Sequence, residues 1–187
     1  MSDSRTLPAQ AVRVPDSRST TSSAQEDRRG HSCDRNAISI SWNDEATRTH
    51  EIAPDGRLFI SGDIDDWSFI APHDIDVVID LDGGLDACIP TETNHCLYIY
   101  FPFEDDDQSL PNVSKLRAVA DLAASLIREG HRVLTHCNMG FNRSGLVAGL
   151  ILKSLGMPGV AAVTRIRERR PGALYNDCFA EYVATSG

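Results

Sequence analysis

The spacing of apolar residues along the chain predicts a polar tail followed by alternating strands and helices. Residues 1–36 are rich in Ser, Arg, Asp, Pro and Gln and hold few large apolar side chains, so we expect a disordered tail before a domain of residues 37–187. Within that domain, period-two alternation and short apolar runs predict strands, and apolar residues at helical spacing predict helices. The predicted strands are 38–42, 49–53, 57–61, 75–81, 96–101 and 132–136, and the predicted helices are 63–69, 113–128, 146–155, 160–169 and 177–183.

The order of these elements predicts an α/β fold, with a central, mostly parallel sheet of about five strands flanked by helices. The turn signal Pro54-Asp55-Gly56 predicts that the domain opens with a hairpin. The helix at 113–128 joins two strands as a right-handed crossover, which makes those strands parallel. Ligands bind at the carboxyl ends of strands in such sheets, and the strand 132–136 leads into the most informative stretch of the sequence.

This stretch runs from an apolar strand through Cys137 and a short glycine-containing loop to an apolar helix. Such a loop directs its backbone N–H groups into one concavity, which suits a phosphate group, and the same dipoles favour the thiolate form of Cys137. The planar guanidinium of Arg143 can bind two phosphate oxygens at once. We therefore predict a phosphate-binding loop of Asn138, Met139, Gly140, Phe141, Asn142 and Arg143.

The loop resembles the signature of the cysteine-dependent protein phosphatases, specifically the small dual-specificity type, in the pattern His136-Cys137-x-x-Gly140-x-x-Arg143-Ser144. The resemblance implies a two-step reaction through a phosphocysteine on Cys137, a dual-specificity phosphatase-like fold, and neither a metal nor another cofactor. It also implies a phosphoprotein or phosphopeptide substrate.

The resemblance covers about residues 57–185. Its later part includes Asn176-Asp177-Cys178-Phe179, which is similar to the Asn-x-x-Phe that opens the last helix of dual-specificity phosphatases. The larger tyrosine-specific class carries an extra phosphotyrosine-recognition segment that we do not find here. Its absence suggests a shallow pocket, in which phosphoserine and phosphothreonine reach the cysteine as well as phosphotyrosine.

The resemblance further implies an aspartate on a separate loop as the general acid. Asp105 stands thirty-two residues before Cys137, the spacing of that family, and it follows the family-like Pro102-Phe103-Glu104. This acidic segment lies between a strand and the helix 113–128, so we expect it at the same sheet edge as the phosphate loop. We assign Asp105 as the general acid, with Asp107 as the alternative.

Two neighbours of the loop receive supporting roles. We expect the Ser144 hydroxyl to donate a hydrogen bond to the cysteine sulfur when the phosphocysteine breaks, and it can also cap the following helix. His136 precedes the nucleophile at the strand end, so its side chain points to the face opposite that of Cys137. We expect His136 to hydrogen-bond to backbone and to organise the site, not to act as a general base.

The composition limits location and partners. The net charge of −9 argues against general binding to nucleic acid or to anionic membranes. No apolar run reaches membrane-spanning length and no secretory signal is visible, so we expect a cytoplasmic protein without a membrane anchor. The basic run Arg165, Arg167, Arg169 and Arg170 is expected to be a solvated helix face, with a substrate-steering patch as the alternative.

The five cysteines are irregularly spaced and contain no Cys-x2-Cys pair, and no ligand cluster for a cation is visible in the sequence. We expect reduced thiols at all positions other than Cys137, which is reactive. A protective disulfide from Cys88 or Cys96 to Cys137 upon oxidation is left open.

Four other functions compete with a protein phosphatase. The Gly-Phe-Asn-Arg ending of the loop and Arg170-Pro171-Gly172 are similar to RNA 5′-triphosphatases of the same superfamily, but the acidic domain and the aspartate loop disfavour that activity. Lipid phosphatases place lysines where this loop has Met139 and Phe141. An inactive phosphoprotein-binding module usually lacks the cysteine or the arginine, and a sulfurtransferase leaves the acidic loop unexplained. The sequence specifies neither the physiological substrate nor the oligomeric state.

Overall fold

The structure, a computed structural model, describes residues 49–92 and 95–187. Two short 3-10 helices, Trp67–Phe69 and Ala71–His73, lie between the second and third strands along the chain. The strands are β1 (His50–Glu51), β2 (Leu58–Ser61), β3 (Val77–Asp80), β4 (Leu97–Tyr100) and β5 (Val133–His136), and the α-helices are α1 (Val113–Arg128), α2 (Arg143–Ser154), α3 (Gly159–Arg169) and α4 (Asp177–Thr185).

These strands form one five-stranded sheet in the order β1-β2-β5-β3-β4. β1 pairs antiparallel with β2, and every other pairing is parallel. The α/β fold with a mostly parallel sheet is therefore confirmed, and so is the opening hairpin. The predicted tail 1–36 and the predicted strand 38–42 lie outside the described residues, and the domain boundary at residue 37 stays a prediction.

The helix predicted at 63–69 is wrong. The structure has the two 3-10 turns there instead, and Pro72 lies within the second turn. Asp66 accepts a hydrogen bond from the Ser68 backbone N–H and thereby caps the first turn. A segment this short cannot complete the i to i+4 bonds of a stable α-helix, so capping side chains and the left-handed Asp74 (φ 50°) determine its path.

The register of the central strands brings their carboxyl ends to one edge of the sheet. β5 lies between β2 and β3, and His136 aligns with both Ser61 and Asp80. Every residue of these three strands is buried, because the helices cover one face and the 3-10 turns cover the other. The loops that follow Ser61, Asp80 and His136 consequently meet at that edge.

The cysteines differ from expectation at one position. Cys88 is disulfide-bonded, whereas Cys96, Cys137 and Cys178 are free thiols. The expectation of reduced thiols outside Cys137 is thus wrong for Cys88, and spacing alone could not reveal it. The cytoplasmic location stays a prediction. Among the described residues, no helix combines the length and the apolar character needed to cross a bilayer.

A surface ion pair between the turn after α1 and the start of β3 gives stability a defined pH dependence. His131 Nδ1 lies 2.7 Å from Asp76 Oδ2, and this hydrogen bond and the carboxylate charge raise the pKa of His131 above its ordinary value. Because the folded-state pKa is the higher one, the pair stabilises fully below about pH 6.5. Its contribution is lost as the pH rises through the folded-state pKa of His131.

We therefore predict that Asp76→Asn returns the His131 pKa toward its unfolded value and removes this pH-dependent part of the stability. Histidine NMR titration and urea unfolding at pH values on both sides of the His131 pKa measure the two effects. Asp74→Asn is the matched control, because Asp74 lies next to this turn and approaches Arg132, at 3.9 Å. An unchanged His131 titration in Asp76→Asn would contradict the prediction.

Candidate active site

The predicted phosphate loop follows β5 at the carboxyl edge of the sheet and ends where α2 begins. Gly140 adopts a left-handed φ of 66°, and a Cβ atom there would lie 2.5 Å from the carbonyl carbon and oxygen of Ser61. Backbone cannot yield as a flexible side chain can, so the position requires glycine both for its φ and for space. The glycine thus lets the loop pack directly against the end of β2.

The backbone carbonyls of the loop are turned outward and hydrogen-bonded by residues from other parts of the chain. The Asp63 N–H donates to the Asn138 carbonyl at 3.0 Å, and the Leu174 N–H donates to the Phe141 carbonyl at 3.2 Å. Buried carbonyls need such partners, so these contacts fix the outward orientation.

Arg170 provides the two remaining partners. Its guanidinium donates to the Met139 carbonyl at 2.8 Å and to the Gly140 carbonyl, and it stacks over the Phe141 ring at 4.4 Å. Arg170 is 1 % exposed, so the expectation of a solvated helix face is wrong for this member of the basic run. Arg165 and Arg169 instead donate from α3 to backbone carbonyls of the opening hairpin.

With the carbonyls directed outward, the N–H groups of the loop are available on its inner side. Among the described residues, no protein acceptor bonds to the N–H groups of residues 138–142. The first N–H groups of α2, which begins at Arg143, adjoin them. This arrangement has the geometry of an anion-binding cradle.

Cys137 lies at the base of this cradle and is 2 % exposed. Its sulfur is 3.4 Å from the Ser144 hydroxyl oxygen, within hydrogen-bond distance for sulfur. Ser144 is the second residue of α2, and the helix N-cap is Asn142, so the alternative role of Ser144 as a helix cap is wrong. The hydroxyl is directed to the sulfur instead.

Arg143 is anchored through one nitrogen. Its Nη1 donates to the Leu81 carbonyl and to Asp82 Oδ1, each at 3.0 Å, and to the Phe103 carbonyl at 3.3 Å. In the part of the chain that the structure describes, Nε and Nη2 have no protein acceptor. The loops after β3 and β4 therefore hold the guanidinium in place while two of its nitrogens remain for a ligand.

The acidic loop after β4 reaches the phosphate loop through Asp105. The Asn142 side-chain amide donates to Asp105 Oδ2 at 2.9 Å, and the Asn176 amide donates to Asp105 Oδ1 at 2.8 Å. Asn142 also accepts the Asn176 N–H at 3.1 Å, which closes the network. Asp107 bonds to its neighbour Gln108 instead. Of the two predicted candidates, Asp105 is the one that the hydrogen bonds join to the loop.

His136 has different partners from those expected. Its Nε2 lies 3.0 Å from Asp86 Oδ2 and 3.7 Å from Asp80 Oδ1, and neither ring nitrogen makes a hydrogen bond to backbone. The predicted backbone contact is therefore wrong. The approach of His136 to these carboxylates also brings together three side chains that are close enough to hold a metal ion, those of Asp80, Asp86 and His136. The sequence had shown no ligand cluster for a cation. Asp80 and Asp86 precede His136 by 56 and 50 residues, a separation that no short motif reveals.

The sequence matches the family model of the dual-specificity phosphatase catalytic domain over residues 61–185, more than half of the chain. The chain belongs to this family. Its matched region contains the cradle, the acidic loop and the Asn176 contact. Among curated proteins, none matches this chain in sequence.

Solved structures agree with the fold of this dual-specificity phosphatase domain. The active form of Tk-PTP is 24% identical, with a TM-score of 0.59, and the alignment covers 73% of this chain and 95% of Tk-PTP. Human DUSP28 is 18% identical with a TM-score of 0.61, covering 72% of this chain and 89% of that one. PTPMT1 in complex with PI(5)P is 13% identical with a TM-score of 0.59, and the alignment covers 72% of this chain and 94% of PTPMT1. These likenesses support the fold.

A cleft of about 610 Å³ adjoins the cradle of the phosphatase domain. Its lining includes exposed Tyr175 and carboxylates from the acidic loop and from α4, namely Asp105, Asp106, Asp107 and Asp177. A hydrogen bond from Ser109 keeps the pKa of Asp106 below its usual range. On the other side of the cradle, burial and the neighbouring carboxylates Asp86, Asp65 and Asp82 raise the pKa of Asp63. The surroundings of the cradle are thus strongly acidic.

The residue that sequence reasoning missed in this phosphatase domain is Arg170. We predict that Arg170→Lys, which keeps the charge but loses the planar fork, lowers both turnover and stability, because one or both loop carbonyls lose their donor. Each unsatisfied carbonyl costs about 1–3 kcal/mol. Urea unfolding and steady-state hydrolysis of an aryl phosphate measure the two losses.

Arg165→Lys is the matched control for this prediction. Arg165 lies on α3, and its Nε donates to the Ile52 carbonyl at 2.8 Å, away from the phosphate loop. We expect this variant to lose some stability and to retain its turnover. Equal turnover in the Arg170→Lys variant and the parent protein would show that Arg170 does not determine the loop geometry.

Proposed function

We propose that this chain is a protein phosphatase that hydrolyses phosphotyrosine, phosphoserine and phosphothreonine through a phosphocysteine intermediate. The observation that carries the proposal is the cradle, whose carbonyls are all hydrogen-bonded outward around the free thiol of Cys137. Inward N–H groups can hold the equatorial oxygens of a phosphoryl group where charge redistributes in the transition state. The free nitrogens of Arg143 add a bidentate contact to the same oxygens.

In the first step, the Cys137 thiolate attacks phosphorus and the bond from phosphorus to the ester oxygen breaks. Asp105 donates its proton to that leaving oxygen, so the alcohol or phenol departs neutral. Its hydrogen bonds to Asn142 and Asn176 support this assignment, because they hold the carboxyl group beside the loop.

In the second step, water attacks the phosphocysteine and gives a proton to the Asp105 carboxylate, while the bond from sulfur to phosphorus breaks. The products are inorganic phosphate and the Cys137 thiolate. Ser144 lies 3.4 Å from the sulfur and donates a hydrogen bond to it as its negative charge returns. His136 touches no reacting atom in this scheme and acts by positioning the end of β5.

Charge supports a protein substrate over a polyanionic one. The cradle is the locally positive part of an acidic surface, with carboxylates in the adjoining cleft and near the loop at Asp63 and Asp82. A 5′-triphosphate or an inositide with several phosphates would bring further negative charge against these carboxylates. The apolar Met139 and Phe141 also offer no cation to a second phosphate. The negative charge around the cradle therefore favours a substrate with a single phosphate on a neutral or basic peptide.

We predict that Cys137→Ser abolishes turnover, because the hydroxyl is a far weaker nucleophile, while binding of inorganic phosphate persists in the intact cradle. Phosphate release measures turnover, and isothermal titration measures binding. The substrates are peptides with each of the three phosphorylated residues, a 5′-triphosphorylated oligonucleotide and a phosphoinositide. Turnover retained in Cys137→Ser would exclude the mechanism, and preferential hydrolysis of the oligonucleotide would move the function to an RNA 5′-triphosphatase.

We predict that Asp105→Asn lowers turnover of phosphoserine peptides by about 10² to 10⁴-fold, the usual contribution of a general acid. An aryl phosphate with a good leaving group needs less protonation, so its phosphocysteine should still form in a rapid burst. A defect of positioning alone would slow both substrates equally. Asp107→Asn is the control, because Asp107 is a neighbouring carboxylate. If turnover of phosphoserine peptides falls more in Asp107→Asn than in Asp105→Asn while the aryl phosphate burst persists, the general acid is Asp107.

A further inference from the structure

A cluster of buried polar side chains lies behind the nucleophile, and the proposed reaction does not use its carboxylates. Asp80 ends β3, Asp86 lies in the following loop, Tyr98 is on β4 and His136 ends β5. The side chains of Asp80 and His136 are fully buried and that of Asp86 is 4% exposed. One ligand atom from each of Asp80, Asp86 and His136 lies within 4.8 Å of the other two.

A single hydroxyl group contacts both carboxylates of this cluster. The Tyr98 hydroxyl oxygen lies 2.5 Å from Asp80 Oδ2 and 3.0 Å from Asp86 Oδ2, but it carries one proton and can donate to one carboxylate only. Buried carboxylates need protonation, a positive charge nearby or a metal ion to offset their desolvation.

His136 is placed to meet this need but makes no hydrogen bond with either carboxylate. Its Nε2 is 3.0 Å from Asp86 Oδ2, yet the direction of the contact fails hydrogen-bond geometry. The ring nitrogen therefore does not point along the line to Asp86. Both ring nitrogens of His136 therefore lack a hydrogen-bond partner, although the side chain is fully buried.

The separations also fit a small cation. In a tetrahedral site with metal–ligand bonds of about 2.0 to 2.1 Å, neighbouring ligand atoms lie about 3.3 Å apart. The distances from His136 Nε2 to Asp86 Oδ2 and to Asp80 Oδ1, 3.0 and 3.7 Å, bracket this value. One imidazole with two carboxylates favours Zn²⁺ over Mg²⁺, which prefers oxygen ligands and retains water.

We propose that Asp80, Asp86 and His136 form a Zn²⁺ site beneath the phosphate loop. The ion neutralises the two buried carboxylates and fixes the imidazole of the residue that precedes Cys137. Its effect is on the stability of the end of β5, and the site is separate from the proposed chemistry at the sulfur.

The test measures zinc uptake in the full chain carrying Cys137→Ser, so that the catalytic thiol cannot be the ligand. After treatment with a chelator, the protein is dialysed against micromolar ZnCl₂, and bound metal and thermal stability are measured. We expect one equivalent of zinc and a raised Tm, since the ion binds the folded state. Adding Asp86→Asn should weaken binding at least tenfold and remove the rise in Tm.

His131→Gln in the same background is the matched control, because His131 with Asp76 is a second pairing of histidine and carboxylate, on the surface. Its zinc uptake should equal that of the parent. If Asp86→Asn fails to fold, the visible spectrum of Co²⁺ bound to the parent protein tests the ligand set instead. We expect the bands of a tetrahedral site and no charge-transfer band from a thiolate. No uptake at micromolar zinc, a thiolate spectrum, or uptake lost in His131→Gln would each overturn the proposal.

Discussion

One constraint shapes this domain: a loop can direct its N–H groups inward only if its carbonyls have partners on the outside. Four consecutive carbonyls, from Asn138 to Phe141, meet this condition through donors from three separate places in the chain. Asp63 comes from the end of β2, Arg170 from the end of α3, and Leu174 from the turn before α4. The order of strands in the sheet matters because it places these donors around the end of β5. The cradle is thus a product of the whole fold and not of the local motif alone.

Several features could be predicted from the sequence because they depend on local pattern. The bounds of α1 follow from its apolar spacing, and the parallel pairing follows from the strand, helix, strand order. Features that depend on distant contacts could not be predicted. Arg170 belongs to a run of similar arginines, and nothing in their spacing reveals that this one is buried against the loop. The partners of His136, Asp80 and Asp86, likewise lie far from it in the sequence.

The distribution of charge is consistent with the proposal that this acidic protein binds a phosphate group. The net charge is −9, and carboxylates line the cleft beside the cradle, so long-range attraction of phosphate is weak. Backbone dipoles and one guanidinium act instead at contact distance, where water is excluded and screening is small. Carboxylates near the cradle also position the site residues, since Asp82 anchors Arg143 and Asp105 joins the phosphate loop to Asn176, just before α4. Acidity therefore acts against polyanions without preventing the binding of a single phosphate.

The contacts of Arg170, Leu174 and Asn176 also have a consequence for biosynthesis. These residues complete a loop that begins more than thirty positions earlier in the chain. During translation the segment with Cys137 leaves the ribosome before the residues that shape it, so a nascent chain carries the thiol without the finished cradle. The cradle is thus complete only after residues 170–176 have been synthesised and have folded against the loop.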